Sequence, residues 1–159
     1  MRKIEKRIID VIRCDLIGSH FGTLRLSCRD AVCKDDDGYF HVILHETDIC
    51  KISPYSGLMR INLHGFGTPT TMSRIRALLE AFQDGFTLTR DPHHKYYEWS
   101  EWKQCDVSRS EPLLISPCGQ RALIRDTEVL VFSDRIQHWD ADYNFWEDYP
   151  YTIGEQDEN

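Results

Sequence analysis

Cysteine and histidine pairs are the first residues whose types and spacing could support chemistry. Cys28 is followed five residues later by Cys33, and His41 is followed four residues later by His45. A structural zinc site needs four ligands, usually supplied as two close pairs, and no second pair of cysteines follows here. The Val-Ile-Leu context of the histidines indicates a strand, on which they would lie about 13 Å apart, too far to share one ion. The sequence therefore predicts no metal site.

The six cysteines also give no sign of a catalytic nucleophile or of a disulfide framework. Cys28 and Cys50 fall within alternating apolar stretches, which predicts that both are small core residues. No secretory signal precedes them, so we expect free thiols in a reducing compartment and a cytoplasmic location. No apolar run approaches the ~20 residues of a membrane span. We accordingly expect no membrane, no cofactor and no enzymatic activity.

The stretch LHGFGTPTTMSRIRALLEAF, residues 63–82, has the composition of a loop that leads into a helix. Either Thr70 or Thr71 is predicted to be the N-cap, with its hydroxyl accepting a backbone N–H. Arg74 and Arg76 follow without any acidic residue in the first turn, although a cation there costs roughly 0.3–1 kcal/mol. Such a departure indicates either an anion site built from these four residues or a compensating contact. The sequence leaves both interpretations open.

Basic residues also cluster at the N-terminus. Residues 3–14 are predicted to form an amphipathic helix whose apolar stripe is Ile4, Ile8, Val11 and Ile12. The cationic flank, Arg2, Lys3, Lys6 and Arg7, is a candidate nucleic-acid surface. Aromatic residues for base stacking follow later in the chain at Tyr96, Tyr97, Trp99 and Trp102.

The net charge of −7 conceals a strong asymmetry along the chain. Residues 126–159 contain ten acidic residues against Arg135 alone, whereas residues 1–125 carry a small positive excess. Aromatic anchors beside steering carboxylates are typical of a protein-binding segment. The candidate partner-binding residues are Trp139, Asp140, Asp142, Tyr143, Phe145, Trp146, Glu147 and Asp148. A segment whose aromatic rings pack back on the domain, leaving solvated acids outside, is the competing interpretation.

The elements that must position these residues indicate an α+β fold. Phe40, Val42 and Leu44 alternate with polar residues, as do Met59 and Ile61, and turns of the Asp-Gly and Pro-x-x-Gly kind separate the runs. This pattern predicts an antiparallel meander. A second helix is predicted at about residues 70–83, ending before Gly85. Further short strands are expected near residues 86–89, 96–102, 113–116, 122–124 and 128–132.

The chain is predicted to form one domain over residues 1–136. Residues 137–159 are predicted to be an acidic, aromatic C-terminal segment that packs partly on the domain and frays at its end.

Two stretches of the chain together resemble a group of small proteins encoded by phages and plasmids. They are VILHETDICKI and GLMRINLHGFGTPTTMSRIRALL. The matching positions are Leu44-His45, Gly65-Phe66, Thr68, Thr70-Thr71, Arg74 and Ile75. The basic opening RKIEKRIIDVIR is similar too, and Phe66 stands where the group usually has tryptophan. The resemblance implies a viral or mobile-element setting and no established enzymatic activity.

These features predict a non-enzymatic accessory protein that binds a host protein or ribonucleoprotein complex and inhibits or redirects it. Anti-CRISPR proteins illustrate such a class of host-defence inhibitor. The alternative is direct nucleic-acid binding through the N-terminal helix together with Arg74 and Arg76. The sequence does not specify the oligomeric state.

Overall fold

A computed structural model describes residues 1–140 and 145–148. The elements in this part of the chain are α1 (Lys3–Arg13), β1 (Gly22–Arg25), β2 (Asp30–Lys34), β3 (Phe40–Leu44), β4 (Thr47–Ile52), β5 (Met59–Ile61), α2 (Pro69–Phe82), β6 (Thr87–Ser100), β7 (Cys105–Ile115), β8 (Arg121–Leu123), β9 (Val129–Phe132), β10 (Arg135–Asp140) and β11 (Phe145–Asp148). The predicted α+β class, with an N-terminal helix and a second helix near residues 70–83, is confirmed.

The main sheet has eight strands in the order β1-β2-β3-β4-β5-β9-β10-β11. Its first five strands are consecutive antiparallel neighbours, as the predicted meander requires. β5 then pairs with β9, so that α2 and strands β6 to β8 leave the sheet and the chain returns to the same edge. The connection between the adjacent strands β5 and β9 therefore spans residues 62–128 and contains α2, β6, β7 and β8.

The core lies on one face of this sheet. Phe40, Val42 and Ile61 are fully buried there, as their alternation predicts. Both helices contribute apolar side chains to the same core, α1 through Ile8, Val11 and Ile12, and α2 through Met72, Ile75, Leu78 and Leu79. The opposite face, called here the outer face, carries the alternate residues of each strand.

β6, β7 and β8 form a separate three-stranded antiparallel sheet. The sequence predicts two short strands where β6 is in fact one strand of 14 residues. The register shifts between Asp91 and Lys95, where Pro92 lacks the N–H that a strand ladder needs. The intervening residues form a bulge, and pairing resumes beyond it.

Helix α2 begins one residue before the predicted start, and its N-cap is Thr68 instead of Thr70 or Thr71. Thr68 Oγ1 accepts the backbone N–H of Thr71 at 3.3 Å. Pro69 decides this boundary, because its missing N–H is harmless at the first helical position and it holds Thr68 in extended geometry.

The β1–β2 region also differs from the prediction. β1 ends at Arg25, and Cys28 is an exposed residue of the following turn, not a core residue. The predicted domain boundary after residue 136 falls inside β10, which pairs with β9 and β11 in the main sheet. The described part of the C-terminal segment therefore belongs to the fold.

Candidate binding surfaces

Arg74 is buried and does not form part of an anion site on the surface. Its side chain is 3% exposed, its Nη1 lies 2.8 Å from Glu5 Oε2, and its Nε lies 2.8 Å from Asp30 Oδ1. Ser73 and Ser27 donate further hydrogen bonds to these carboxylates, at 2.6 and 2.8 Å. The unusual cation at the start of α2 is thus explained by a compensating contact with α1 and β2.

The contacts within this cluster favour the charged forms of Glu5, Asp30 and Arg74. Burial raises the pKa of Glu5, but hydrogen bonds from Ser73, from the Arg2 backbone and from Arg74 outweigh it and hold the pKa below its ordinary value. Burial likewise raises the pKa of Asp30, and Arg74 with Ser27 reverses the direction. The sequence signal for this cluster is Glu5, a carboxylate within the apolar side of α1.

The other members of the predicted anion site do not converge. Thr71 is buried and its hydroxyl lies 2.9 Å from that of Thr68, whereas Thr70 is half-buried. Arg76 is exposed and donates from Nε to the carbonyl of Leu88 at 2.8 Å. An anion at the α2 terminus would therefore meet hydroxyls and backbone, without either arginine.

The basic flank of α1 is open to solvent. Arg2, Lys3, Lys6 and Arg7 are all exposed, and Asp10 is the acidic residue on the same side of the helix. Across the described residues, no carboxylate forms an ion pair with Lys3, Lys6 or Arg7. This flank retains the charge that a phosphate backbone would require.

The described members of the predicted partner-binding set lie on β10 and β11, at the edge of the main sheet. The guanidinium of Arg60 lies 5.4 Å from the ring centre of Trp146, which is half-buried. Asp148 accepts hydrogen bonds from Arg135 at 3.2 Å and from Gln137 at 2.9 Å. Two of the predicted residues are therefore already engaged with the chain's own side chains.

The remaining predicted partner-binding residues divide into two groups. The backbones of Trp139, Asp140, Phe145 and Glu147 belong to β10 and β11. Asp142 and Tyr143 lie outside the described residues.

The distal part of β6 and β7 forms a second surface, which we call the β6–β7 arm (residues 95–110). β8 pairs with β7 only at residues 113–115, so in the described part of the chain this arm is a two-stranded hairpin. Tyr97 and Trp99 are 76% and 56% exposed on one face, and Trp102 in the connecting turn is 92% exposed. Three exposed aromatic rings on one hairpin differ from isolated exposed rings such as Tyr55, because grouped apolar surface is what marks interaction sites.

The inner face of the arm is fixed to the body of the protein. Tyr96 is 7% exposed and packs its hydroxyl group against Gly67, where any side chain would collide with it. The guanidinium of Arg125 lies 4.0 Å from the Tyr96 ring centre. Glu98 accepts hydrogen bonds from the Gly67 backbone at 3.4 Å and from Arg109 at 3.0 Å. The β6–β7 arm is therefore anchored on one face by Tyr96 and Glu98, and it exposes its other aromatic residues to solvent.

The four aromatic residues that the sequence identifies as a stacking surface are thus divided between two faces. Tyr96 serves as the anchor, while Tyr97, Trp99 and Trp102 face solvent. Because Pro92 reads as a strand terminator, the sequence does not reveal the length of the hairpin.

His41 is held between two carboxylates on the outer face of the main sheet. Its Nδ1 lies 2.6 Å from Asp48 Oδ2 and its Nε2 lies 2.8 Å from Asp35 Oδ2. The hydrogen bond with Asp48 raises the pKa of His41, burial opposes this, and the hydrogen bond with Asp35 adds to the increase. When both ring nitrogens carry a proton, the imidazolium donates to both carboxylates and ties the β2–β3 turn to β4.

The cysteines and histidines of the described residues form no group of three or more potential ligands placed around one ion. Cys50 is buried in the core, as predicted, and burial raises the pKa of its thiol well above the ordinary value. A thiol in that environment stays protonated and is a poor nucleophile.

A cleft of about 670 Å³ lies between the end of α1 and the turns that follow β2 and β4. Lys34 on its wall is paired with Asp15 at 2.6 Å, and Arg13 donates to the carbonyl of Ala81 at 2.7 Å. These contacts occupy two cations that the cleft would otherwise offer to an anion.

Comparison of the chain with models of known protein families, with curated proteins and with solved structures gives no match. Within residues 1–140 and 145–148, neither helix combines the length and the apolar composition that crossing a membrane requires.

Proposed function

We propose that this protein is a non-enzymatic binding protein that attaches to another protein through the β6–β7 arm. The observation that carries the proposal is the solvent-facing side of the β6–β7 arm. Tyr97, Trp99 and Trp102 are exposed there on an anchored hairpin. Aromatic residues dominate the energetics of protein interfaces. Because the base of the arm is fixed, little conformational freedom has to be lost when a partner binds.

The charge of the arm favours a protein over a nucleic acid. Glu98 and Arg109 neutralise each other as an ion pair at 3.0 Å. The other charged side chains are two lysines and two acidic residues, at positions 95, 101, 103 and 106. A surface without net positive charge lacks the electrostatic attraction that supports binding to a phosphate backbone.

The acidic C-terminal segment, whose role as a partner-binding element remains a prediction, would steer the protein towards a basic partner. Proteins that handle nucleic acids have such surfaces. With the resemblance to phage- and plasmid-encoded proteins, this supports a host protein or defence complex as the target, which would be inhibited or redirected in the host cytoplasm. Inhibitors of the anti-CRISPR kind are one example of this class.

Substitution of the arm aromatic residues tests the proposal. Trp99→Ser and Trp102→Ser are compared with Tyr55→Ser, which changes a ring that is 98% exposed in the turn between β4 and β5. Partners are captured from a candidate host with the unmodified protein, identified, purified and titrated against each variant. We expect each arm variant to weaken binding by roughly 30-fold or more, as for an interface hot spot, and the control to have no effect.

The proposal is wrong if the arm variants bind the identified partner as tightly as the control while their thermal unfolding is unchanged.

The exposed basic flank of α1 favours a second candidate, direct binding of nucleic acid. The double variant Lys6→Glu/Arg7→Glu tests it in a mobility-shift assay at two salt concentrations. If this candidate is right, the unmodified protein binds, the affinity falls steeply with salt, and the variant loses it. Equal mobility of the nucleic acid with and without protein at low salt would reject it.

A further inference from the structure

The β6–β7 arm has a strand edge that lacks a partner strand in the described part of the chain. We propose that two copies of this protein join along this edge, with the β7 strands of the two arms side by side and antiparallel. Such a dimer does not depend on the proposed function, because it uses the edge of the arm and leaves the aromatic rings on its exposed face free.

The hydrogen bonds between β7 and β8 show which way the backbone groups of β7 point. The carbonyl of Pro112 accepts the N–H of Ile124 at 3.2 Å, and the N–H of Ser116 donates to the carbonyl of Gln120 at 3.0 Å. Backbone groups of successive residues in an antiparallel strand point to alternate sides. The even-numbered residues of β7 therefore direct their N–H and C=O groups away from β6.

Three even-numbered residues lie further along β7, where β8 no longer runs. They are Asp106, Ser108 and Ser110, whereas β8 pairs with β7 only at residues 113–115. Asp106 and Ser108 are exposed. The carbonyl of Ser110 accepts Nη1 of Arg90 at 2.9 Å, which leaves its second lone pair available. This row of outward-facing backbone groups is what another extended strand matches.

The opposite edge of the same sheet, along β6, is protected against such pairing. Arg76 donates from Nε to the carbonyl of Leu88 at 2.8 Å, and the bulge that contains Pro92 interrupts the ladder. Bulges, prolines and side chains that cover the backbone are the usual means of blocking an edge. Residues 105–110 of β7 contain no proline and pair with β6 in regular register, so this edge remains open.

Charge complementarity identifies a second copy as the occupant. When Ser108 lies opposite Ser108 of the second copy, Asp106 lies opposite Ser110 of the second copy, and Lys95 of the second copy is the next residue across. Strands lie about 4.8 Å apart, so the carboxylate and the ammonium group meet over the short serine side chain. Two-fold symmetry forms this contact twice. Among the described residues, neither Asp106 nor Lys95 has an ion-pair partner in its own chain.

Pairing also stabilises the distal part of the arm. A two-stranded hairpin is at best marginally stable in water, whereas two joined arms form a four-stranded sheet. Because β7 is already extended, a second copy loses less conformational freedom on binding than a flexible peptide would. Tyr97 lies opposite Ser108 and Trp99 opposite Asp106, so this register places the rings of both copies on one face of the joined sheet.

Sedimentation equilibrium of the full chain over a range of concentrations tests the inference. We expect the molar mass to rise from that of one chain to that of two. Ser108→Pro removes an outward-facing N–H and leaves the pairing with β6 intact, so it should weaken self-association by roughly tenfold or more. Ser108→Ala keeps the N–H and is the matched control, which should self-associate like the unmodified protein.

Two charge variants test the register and decide the question if Ser108→Pro does not fold. Asp106→Lys and Lys95→Asp each place like charges together across the two-fold axis, so each alone should self-associate more weakly than the unmodified protein. In an equimolar mixture of the two variants every such contact joins opposite charges. We therefore expect the mixture to form dimers more strongly than either variant alone.

Three results would overturn the inference. A molar mass of one chain at every concentration would leave the edge to a strand from a different protein. A dimer that persists unchanged in folded Ser108→Pro would place the contact on another surface. A mixture of the charge variants that associates no better than either variant alone would contradict the register. Failure of the proposed function is distinguishable, because self-association is measured without any partner.

Discussion

At the scale of single residues, Arg74 shows how a local rule is broken for a tertiary reason. A cation in the first turns of a helix is unfavourable, yet Arg74 is buried between Glu5 and Asp30, which lie 69 and 44 positions away in sequence. Each carboxylate also receives a serine hydroxyl. A buried ion cluster of this kind is stable only while every member is present.

We predict that Arg74→Met lowers the free energy of unfolding by about 3–5 kcal/mol, because it leaves two buried carboxylates without a cation. Arg76→Met in the same helix is the matched control. It removes one hydrogen bond, to the carbonyl of Leu88, and should cost about 1 kcal/mol. Urea denaturation at neutral pH measures both values, and equal losses would contradict the assignment.

His41 makes the stability depend on pH in a defined direction. Its pKa is raised above the ordinary value near 6.5. The stabilisation from its contacts with Asp48 and Asp35 is therefore complete below about pH 6.5 and is lost as the pH rises through the raised pKa.

We predict that the difference in free energy of unfolding between the unmodified protein and His41→Gln is largest near about pH 6 and shrinks towards about pH 9. Exposed His20 provides the control variant, His20→Gln. Urea denaturation across this pH range measures the difference. A difference that stays constant would mean that the imidazolium does not contribute.

At the scale of elements, the junction between the loop before α2 and the β6–β7 arm depends on a missing side chain. A Cβ at Gly67 would meet the Tyr96 hydroxyl group, with Pro112 Cγ at 3.0 Å. Glycine lets the arm lie directly on the loop, and Tyr96 converts that contact into an anchor.

We predict that Gly67→Ala is destabilising and that Tyr96→Phe, which removes the colliding oxygen, partly suppresses the effect. The double variant should be more stable than the sum of the two single changes implies, by about 0.5–3 kcal/mol. Thermal and chemical denaturation of the four proteins measure this coupling. Simple additivity would mean that the arm is not held at this point.

At the scale of the whole molecule, the C-terminal hairpin completes the main sheet. β10 covers the edge of β9, with His138 opposite Val129 and Ile136 opposite Val131. Gln120 extends this connection, because its side chain accepts the N–H of Ile136 at 2.7 Å and donates to the carbonyl of the same residue at 3.2 Å. The two sheets are thereby joined through one buried amide.

We predict that deletion of residues 137–159 lowers the free energy of unfolding by at least about 2 kcal/mol, since fully buried Val129 would lose its cover. Deletion of residues 149–159 is the control, because it removes the last acidic residues and leaves both described strands. Equal stability of the two truncated proteins, measured by urea denaturation, would contradict a structural role for β10 and β11.

The local pattern of the chain was sufficient for much of the fold. Alternation at Phe40, Val42 and Leu44 predicts β3, and the apolar stripe of α2 predicts a helix whose bounds agree within one residue. These predictions succeed because each depends on neighbours within a few positions, where backbone geometry imposes its period. The bulge after Asp91 defeats the same reasoning, because pairing with β7 outweighs the local effect of Pro92.

The binding surfaces depend on contacts that no local pattern contains. The sequence by itself determined the fold class, the basic flank of α1 and the group of aromatic residues within positions 96–102. Only the tertiary structure decided that Arg74 is buried beside Glu5 and that Tyr96 anchors the arm while Trp99 faces solvent. The physical reason is that burial and charge pairing are properties of segments brought together by folding, whereas sequence periodicity reports only which side of its own element a residue occupies.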